Sequence, residues 1–262
     1  MLFVGANIMS TVTLIQSHPF RKCPISDVSI GDSGQLAHAL LNRAHKIFHR
    51  KNTLFLTGDE FTGVYIVRSG PAKSFISSKD GIEHITKFHF AGELIGLDGF
   101  SSSTHNQTIE FLETSSVCFI SVAEINESLK NTDNFCQNLL KAISCELITG
   151  SAMSMSYSIY TSEQRIAKFL LDLSTNFVNR GQSGYEFLLS MTRTDIANYL
   201  GMAIETVSRV LGKFQKYGVI DVHHRVVKIN EIEMLTNCLY CVDCLNVSLI
   251  NNHNFNHNRA LG

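Results

Sequence analysis

Polar residues that can hydrogen-bond with the edges of nucleic-acid bases are concentrated between Thr192 and Phe214. An arginine can donate two hydrogen bonds to guanine, a carboxylate can accept one from cytosine, and a serine hydroxyl can donate or accept. The segment offers these side chains together on what is predicted to be the outward side of one helix: Glu205, Thr206, Ser208 and Arg209. The chemistry predicted for this set is recognition of base edges in the major groove of DNA.

Two helices must position these residues. Thr192 followed three residues later by Asp195 is typical of a capped helix N-terminus. Gly201 supplies the turn to a second helix. The residues expected on the facing buried sides are apolar or small: Ile196, Ala197, Leu200, Val207 and Val210. The segment is therefore predicted to be a helix-turn-helix, with an ordinary two-helix hairpin as the alternative.

A wing is predicted to follow the second helix. Tyr217 to Val222 and Arg225 to Ile229 are predicted strands around a turn at His223 and His224. Between positions 162 and 230 there are nine Lys or Arg residues against six Asp or Glu, so this part is mildly basic. The cations expected to be available for phosphates are Lys213, Lys216, Arg225 and Lys228.

Short apolar runs separated by glycines occupy the region from Lys51 to Val122, a pattern typical of an antiparallel β-barrel or roll. The glycines expected at tight turns are Gly58, Gly70, Gly81 and Gly92. From Asp133 the period changes, and apolar residues recur with the spacing of a single long helix. A further helix is predicted from Ser162 to about Gly181, which places a domain boundary near Thr161.

The long helix has no charged residue between Glu146 and Glu163. It should therefore pack against an apolar surface. A second copy of the helix in a homodimer is the preferred partner, and burial against the chain's own roll is the alternative.

Composition narrows the classes of protein. The chain has 262 residues, 44% of them hydrophobic and 17% charged, with a net charge of -1. Its length predicts two folded domains, or one large domain with appendages, and its charge excludes a globally basic coat. No apolar run reaches the roughly 18 residues that span a bilayer, and we expect no signal peptide, so a cytoplasmic protein is predicted. Neither a nucleophile motif nor a phosphate-binding loop is present, and we expect no enzyme activity.

The seven cysteines favour thiol or metal chemistry over disulfides. Cys238, Cys241 and Cys244 have metal-ligand spacing, and His253 and His257 follow them. The Asn-rich end argues for a disordered tail whose cysteines are incidental. Candidate metal ligands, weighed against that alternative, are Cys23, Cys118, Cys238, Cys241 and Cys244.

Four sequence blocks resemble the FNR branch of the cyclic AMP receptor protein and FNR superfamily of transcription regulators. The blocks are LFLTGDEFTGVYIVRSG (54–70), ITKFHFAGELIGLDG (85–99), LETSSVC (112–118) and MTRTDIANYLGMAIETVSRVLGKFQK (191–216). The resemblance implies an α+β fold with a cyclic-nucleotide-binding-like β-roll, a long dimerisation helix and a C-terminal winged helix-turn-helix. The expected divisions are an N-terminal arm (1–30), the roll (31–125), the helix (126–160), the DNA-binding domain (161–230) and a flexible tail (231–262).

The resemblance also implies partners and roles. The family's base-reading residues fall on Glu205, Ser208 and Arg209, which implies palindromic double-stranded DNA sites with TTGAT-like half-sites. Ile204 stands where cyclic AMP receptors carry an arginine, so their sites are not expected. The full set of expected DNA contacts is Thr192, Arg193, Glu205, Thr206, Ser208, Arg209 and Lys213. RNA polymerase is an expected partner, with the turn Lys79 to Glu83 as its candidate contact.

Two family ligands are not expected. Asn106 and Gln107 stand at the positions where cyclic-nucleotide binders grip the phosphate with an Arg-Ser pair, so cyclic AMP binding is not expected. Cys23 and Cys118 match ligands of the branch's [4Fe-4S] cluster, but Phe20 and Ser29 occupy the other two positions. The ordinary cluster is therefore not expected, and the effector is unknown. The alternative function is a redox- or metal-responsive regulator using Cys23, Cys118 and the C-terminal cysteines.

Overall fold

A computed structural model of the chain describes residues 45–131 and 133–240. Within these ranges the chain forms two compact units, which divide between Ala152 and Met153. In the part of the chain so described, no helix is long and apolar enough to cross a membrane.

The first unit begins with eight short strands that pair in antiparallel fashion. They are β1 (Lys46–Phe48), β2 (Thr53–Phe55), β3 (Gly63–Ser69), β4 (Ala72–Ser77), β5 (Glu83–His89), β6 (Leu94–Ile95), β7 (Thr108–Phe111) and β8 (Ser115–Ser121). One four-stranded sheet has the order β1-β8-β3-β6, and the other has the order β2-β7-β4-β5. The predicted antiparallel β-roll is confirmed.

The core of the roll is built from inward-facing residues of both sheets. Phe48 of one sheet stacks on Phe111 of the other, with ring centroids 4.7 Å apart. The apolar residues buried with them are Phe55, Val67, Ala72, Ile95, Ile109 and Val117. The four glycines predicted at turns have φ angles between 74° and 94°, a region in which other residues are strained.

Two helices follow the roll, α1 (Val122–Asn131) and α2 (Asp133–Ile159). Ile125 of α1 is buried against Val64 and Ile120 of the roll, and Leu139 of α2 is partly buried in the same cluster. The helix predicted from Asp133 thus has the expected start. One side of α2 leaves apolar residues exposed: Leu140, Leu147, Ile148, Met155 and Ile159.

The second unit contains four further helices and a three-stranded sheet. The helices are α3 (Ser162–Asn179), α4 (Arg193–Tyr199), α5 (Ile204–Lys216) and α6 (Ile232–Tyr240). The strands are β9 (Glu186–Leu188), β10 (Ile220–His223) and β11 (Val226–Ile229), in the antiparallel order β10-β11-β9. This is the predicted winged helix-turn-helix.

The structure differs from the sequence expectation at three places in this unit. The strand expected from Tyr217 begins at Ile220, because α5 runs to Lys216 and the next turn contains Gly218 with φ of 69°. Strand β9 was not predicted; it pairs with β11 and completes the wing.

The third difference lies in the expected flexible tail. Residues Ile232–Tyr240 form helix α6, with Leu235 and Cys238 buried. The side-chain amide of Gln164 in α3 donates to the Leu239 carbonyl at 3.1 Å. The second unit therefore extends past position 230, because this helix buries apolar side chains on it.

Helix α6 should contribute to the stability of the unit. Leu235→Ala should lower the free energy of unfolding by about 2–5 kcal/mol, because the Leu235 side chain is completely buried and its removal leaves a cavity. Asn237→Ala changes an exposed residue of the same helix and should have an effect within about 0.5 kcal/mol. Urea unfolding of both variants, followed by circular dichroism, measures the difference. Equal unfolding curves for the two would contradict the packing described for α6.

Candidate nucleic-acid interface

Helix α5 presents a polar face because its opposite face is buried. Val207, Val210, Leu211 and Phe214 are at most 3% exposed. Glu205, Ser208 and Arg209 are three and four residues apart and lie together on the other side of the helix, where Glu205 and Arg209 are exposed and Ser208 is half-buried. The three residues predicted to contact bases are thus brought together on one face. Thr206, the fourth residue of that group, is half-buried at its edge.

The turn before α5 is held by local hydrogen bonds. At the start of α4, the Thr192 hydroxyl accepts from the Asp195 amide at 3.1 Å, and the Asp195 carboxylate accepts from the Thr192 amide at 2.9 Å. This is the capping box that the sequence predicted. At the other end, Gly201 has φ of 61°, and the Met202 amide donates to the Ala197 carbonyl. The buried Ala197 allows α4 and α5 to cross closely.

Cations around α5 differ in how they are used. Lys213 lies at the side of the helix, and its ammonium is 3.3 Å from the Glu163 carboxylate of α3. Lys216 follows Arg209 by seven residues, so it lies on the same side as Glu205 and Arg209, and it is exposed. Arg193 is exposed at the start of α4. Exposed cations at both ends of the motif can contact phosphates.

In the wing, Arg225 is engaged within the protein. Its guanidinium donates from Nε to the Leu189 carbonyl at 2.8 Å and from Nη2 to the Ser190 carbonyl. These bonds join the residue before β11 to the chain leaving β9, so Arg225 has a structural role; the phosphate contact expected of it stays a prediction. Lys228 of β11 is exposed. The wing turn contains His224 with φ of 56°.

Two residues near the motif were not singled out by the sequence. Arg165 of α3 donates to carbonyls at the end of α2 and at the end of α4. Tyr157 of α2 donates its hydroxyl to the Tyr199 carbonyl at 2.6 Å. Their partners are backbone oxygens, which no pattern of residue types reveals. The only available signal was that both stand beside the predicted domain boundary.

In the roll, a carboxylate closes the loop in which the resemblance places the phosphate of a cyclic nucleotide. One oxygen of Asp98 accepts from the backbone N–H of Asn106 at 2.6 Å and from the backbone N–H of Gln107 at 3.2 Å. The other oxygen lies 3.3 Å from Nδ1 of the buried His105. The Gln107 side-chain oxygen accepts from the Thr86 hydroxyl at 2.6 Å. Both amides and the glutamine oxygen are therefore used within the protein.

Next to this loop lies a group of charged residues. The Lys87 ammonium is 3.4 Å from the Glu93 carboxylate and 2.9 Å from the Glu146 carboxylate on α2. His89 is buried beside them, and Nε2 is 3.1 Å from the Ser74 hydroxyl. Burial, with the Lys87 charge as a second cause, holds the pKa of His89 well below its ordinary value. His89 is therefore neutral at physiological pH, and Lys87 links the roll to α2.

The candidate metal ligands are only partly within the described residues. Cys118 on β8 and Cys238 on α6 are each 1% exposed. Cys23, Cys241 and Cys244 lie outside the described residues, as do Phe20 and Ser29. Among the residues that are described, no three His, Cys, Asp or Glu side chains could together hold a metal ion. Metal binding by these cysteines stays a prediction. The donor set implied for a [4Fe-4S] cluster does not fit, because Phe20 has no ligand atom.

Comparison with known families and proteins identifies both units. A family model described as a cyclic nucleotide-binding domain matches residues 45–132, and one described as a Crp-like helix-turn-helix domain matches residues 164–238. The fumarate and nitrate reduction regulatory proteins of Salmonella typhimurium and Escherichia coli are each 39% identical over 190 residues. That alignment covers 72% of this chain and 76% of either relative. The anaerobic regulatory protein of Haemophilus influenzae is 38% identical, with 72% and 74% covered.

Solved structures share the fold. FixK2 from Bradyrhizobium japonicum superposes with a TM-score of 0.69 at 23% identity, over 74% of this chain and 96% of that one. A CooA mutant from Carboxydothermus hydrogenoformans gives a TM-score of 0.64 at 17% identity, over 80% and 96%. At these identities the likeness shows the fold alone.

The roll matches cyclic nucleotide-binding domains, but its residues do not fit a cyclic nucleotide. The Asp98 carboxylate already accepts from the backbone N–H groups of Asn106 and Gln107, so a phosphate bound there would lie beside it, and the two negative charges would repel each other. The pair at these positions is also uncharged.

Cyclic AMP should accordingly neither bind tightly nor strengthen DNA binding. Calorimetric titration of the full chain should show no saturable heat at cyclic AMP concentrations up to the millimolar range. DNA affinity with and without the nucleotide should agree. Tight binding together with a matching gain in DNA affinity would contradict this, and would show that a cation elsewhere closes the pocket.

Proposed function

Because this chain belongs to the cyclic AMP receptor protein and FNR superfamily of transcription regulators, in its FNR-like branch, we propose that it acts as a homodimer on palindromic DNA sites with TTGAT-like half-sites. DNA binding and regulation of transcription are properties of the family. The homodimer, the palindrome and the residue roles below are the proposal. The observation that carries it is the face of α5 on which Glu205, Ser208 and Arg209 lie together.

The proposed base contacts follow from the chemistry of that face. Arg209 would donate two hydrogen bonds to a guanine, Glu205 would accept from a cytosine, and Ser208 would serve as donor or acceptor. Thr192, Arg193, Thr206 and Lys213 would contact the phosphates and sugars that flank these bases. Lys213 would do so while sharing its charge with Glu163.

The proposed dimer contact is the exposed apolar side of α2. Leu140 and Leu147 are seven residues apart, as are Ile148 and Met155, and all four are at least 50% exposed. A seven-residue repeat of apolar residues is the pattern by which two helices pack along each other. Gly150 and Ser151 beside them are small, and no residue from Leu147 to Ser162 is charged, so nothing there opposes close approach of a second copy.

RNA polymerase remains a proposed partner. The turn from Lys79 to Glu83 connects β4 and β5, and its residues are exposed. Ile82 within it is 70% exposed, which gives the turn an apolar contact surrounded by charges. We propose that this turn contacts polymerase.

Selection of bound DNA from a random pool tests the proposed readout directly. The wild-type protein should enrich palindromes whose TTGAT-like half-sites lie about one helical turn apart. Arg209→Ala, selected in parallel, should lose the preference for one base pair in each half-site, since a paired arginine contact to guanine contributes roughly 1–3 kcal/mol.

Lys213→Ala serves as the matched control, because it removes a cation from the same helix. It should weaken binding to all sequences alike and leave the selected motif unchanged. Enrichment of unrelated sequences by the wild-type protein would overturn the proposed site. Equal losses for Arg209→Ala on selected and random duplexes would overturn the role of α5.

Light scattering tests the dimer. The wild-type protein, purified in air and treated with a chelator, should be a dimer that binds DNA. Leu147→Glu should dissociate it, because two like charges would be buried at a desolvated contact, at a cost on the order of 3 kcal/mol or more. Thr149→Glu adds the same charge at an exposed position on another side of α2 and should leave the dimer intact.

A different result would favour the redox alternative. A wild-type protein that is monomeric in air, and becomes a DNA-binding dimer only after anaerobic addition of iron and sulfide, would refute the proposed standing dimer. It would direct attention to Cys23, Cys118 and the C-terminal cysteines as ligands.

A further inference from the structure

We propose that Arg165 is a positioning residue for DNA recognition, which fixes the helix-turn-helix to the end of the dimer helix α2. The inference rests on the proposed function, since it concerns how two recognition helices reach two half-sites. Arg165 itself is not proposed to contact DNA.

The contacts of Arg165 converge from two helix ends. Its guanidinium donates from Nη2 to the Tyr157 carbonyl at 2.8 Å and from Nε to the Tyr160 carbonyl at 3.1 Å. These carbonyls lie at the end of α2, which stops at Ile159. From Nη1 it donates to the Leu200 carbonyl at 3.1 Å, at the end of α4. The last carbonyls of a helix have no partner within it, and one planar guanidinium here serves two such ends.

Tyr157 makes a second connection between the same two ends. Its hydroxyl donates to the Tyr199 carbonyl at 2.6 Å, and the centroid of its ring lies 5.8 Å from the Arg165 guanidinium carbon. A Cβ atom at Gly201 would lie only 3.3 Å from this ring, so the turn of the helix-turn-helix packs directly on it. Burial raises the pKa of the Tyr157 hydroxyl, although Arg165 opposes the shift, and the group therefore stays a donor.

These bonds act at the point where the chain could most easily rotate. Only Tyr160 and Thr161 separate α2 from α3. A change of backbone angles there would turn α4 and α5 relative to the end of α2. Arg165 and Tyr157 oppose it, because rotation would break hydrogen bonds to Tyr157, Tyr160, Tyr199 and Leu200.

A dimer on a palindrome depends on such a fixed angle. The two half-sites lie at a set distance and rotation on the duplex, and both recognition helices must meet them together. Binding of the second half-site then adds a factor of about 10²–10⁴ in affinity, which is lost when the geometry forbids simultaneous contact. A looser joint should therefore weaken binding to the palindrome and tolerate altered spacing, with little effect on a single half-site.

The test compares three duplexes: the palindrome, the palindrome with one base pair inserted between its half-sites, and a single half-site. Fluorescence anisotropy at one salt concentration gives the dissociation constants. Arg165→Met should bind the palindrome at least about 10-fold more weakly than the wild type. Even a 10-fold loss is only part of the gain of about 10²–10⁴ that binding of the second half-site gives. Its half-site affinity should stay within about 3-fold, and its penalty for the inserted base pair should be smaller than that of the wild type.

Three further variants sharpen the test. Lys168→Met removes a charge from the same helix, where Lys168 pairs with Asp172, and should behave as wild type. Arg165→Lys keeps the charge but not the planar set of donors, and should fall between wild type and Arg165→Met. Tyr157→Phe removes only the bond to Tyr199, and should reduce palindrome affinity and spacing discrimination in the same direction.

The outcomes separate this inference from the proposed function. If the wild type does not prefer the palindrome over the half-site, the proposed function fails. Suppose that the wild type does prefer the palindrome. If Arg165→Met and Tyr157→Phe then lose affinity equally for all three duplexes, or lose none, the positioning role of Arg165 is overturned.

Discussion

Burial of one side of helix α5 determines where its polar residues point. Phe214 and Val207 are fully enclosed and Val210 and Leu211 nearly so, between α3, α4 and β10. Because a helix cannot rotate about its axis without exposing such a face, Glu205, Ser208 and Arg209 are held on the outside. Complete burial of a side chain such as Val or Phe contributes about 1.5–3 kcal/mol, so four of them outweigh any preference of the polar residues for another direction. The base recognition proposed for this helix thus depends first on apolar packing.

The charges of the DNA-binding unit divide between internal and external use. Arg165 and Arg225 donate to backbone carbonyls, Lys168 pairs with Asp172, and Lys213 pairs with Glu163, so at least four of the nine cations between positions 162 and 230 have intramolecular partners. Arg193, Arg209, Lys216 and Lys228 are exposed. The modest excess of basic residues therefore overstates the charge available for phosphates.

Much of the second unit could be predicted from the sequence, because the residues that determine its helix-turn-helix are close together in the chain. The capping box of Thr192 and Asp195, the turn at Gly201 and the period of Val207 and Val210 all lie within a few residues of each other. What could not be predicted depends on distant partners. Strand β9 is only three residues long and forms by pairing with β11, almost 40 residues later. Helix α6 forms because its apolar residues are buried, although the Asn-rich end of the same segment favours disorder. The role of Arg165 depends on backbone carbonyl oxygens, which every residue has.

The roll illustrates how one fold accommodates a different local chemistry. Two adjacent backbone amides in a loop form a natural anion site, and in this chain the anion is the protein's own Asp98 carboxylate. Lys87 in turn connects Glu93 of the roll with Glu146 of α2. A covalently attached carboxylate loses no translational freedom on binding, so it holds the loop without any ligand concentration to set its occupancy. In this chain, side chains that are always present make a contact between the roll and α2. A contact made through a ligand would exist only while the ligand is bound.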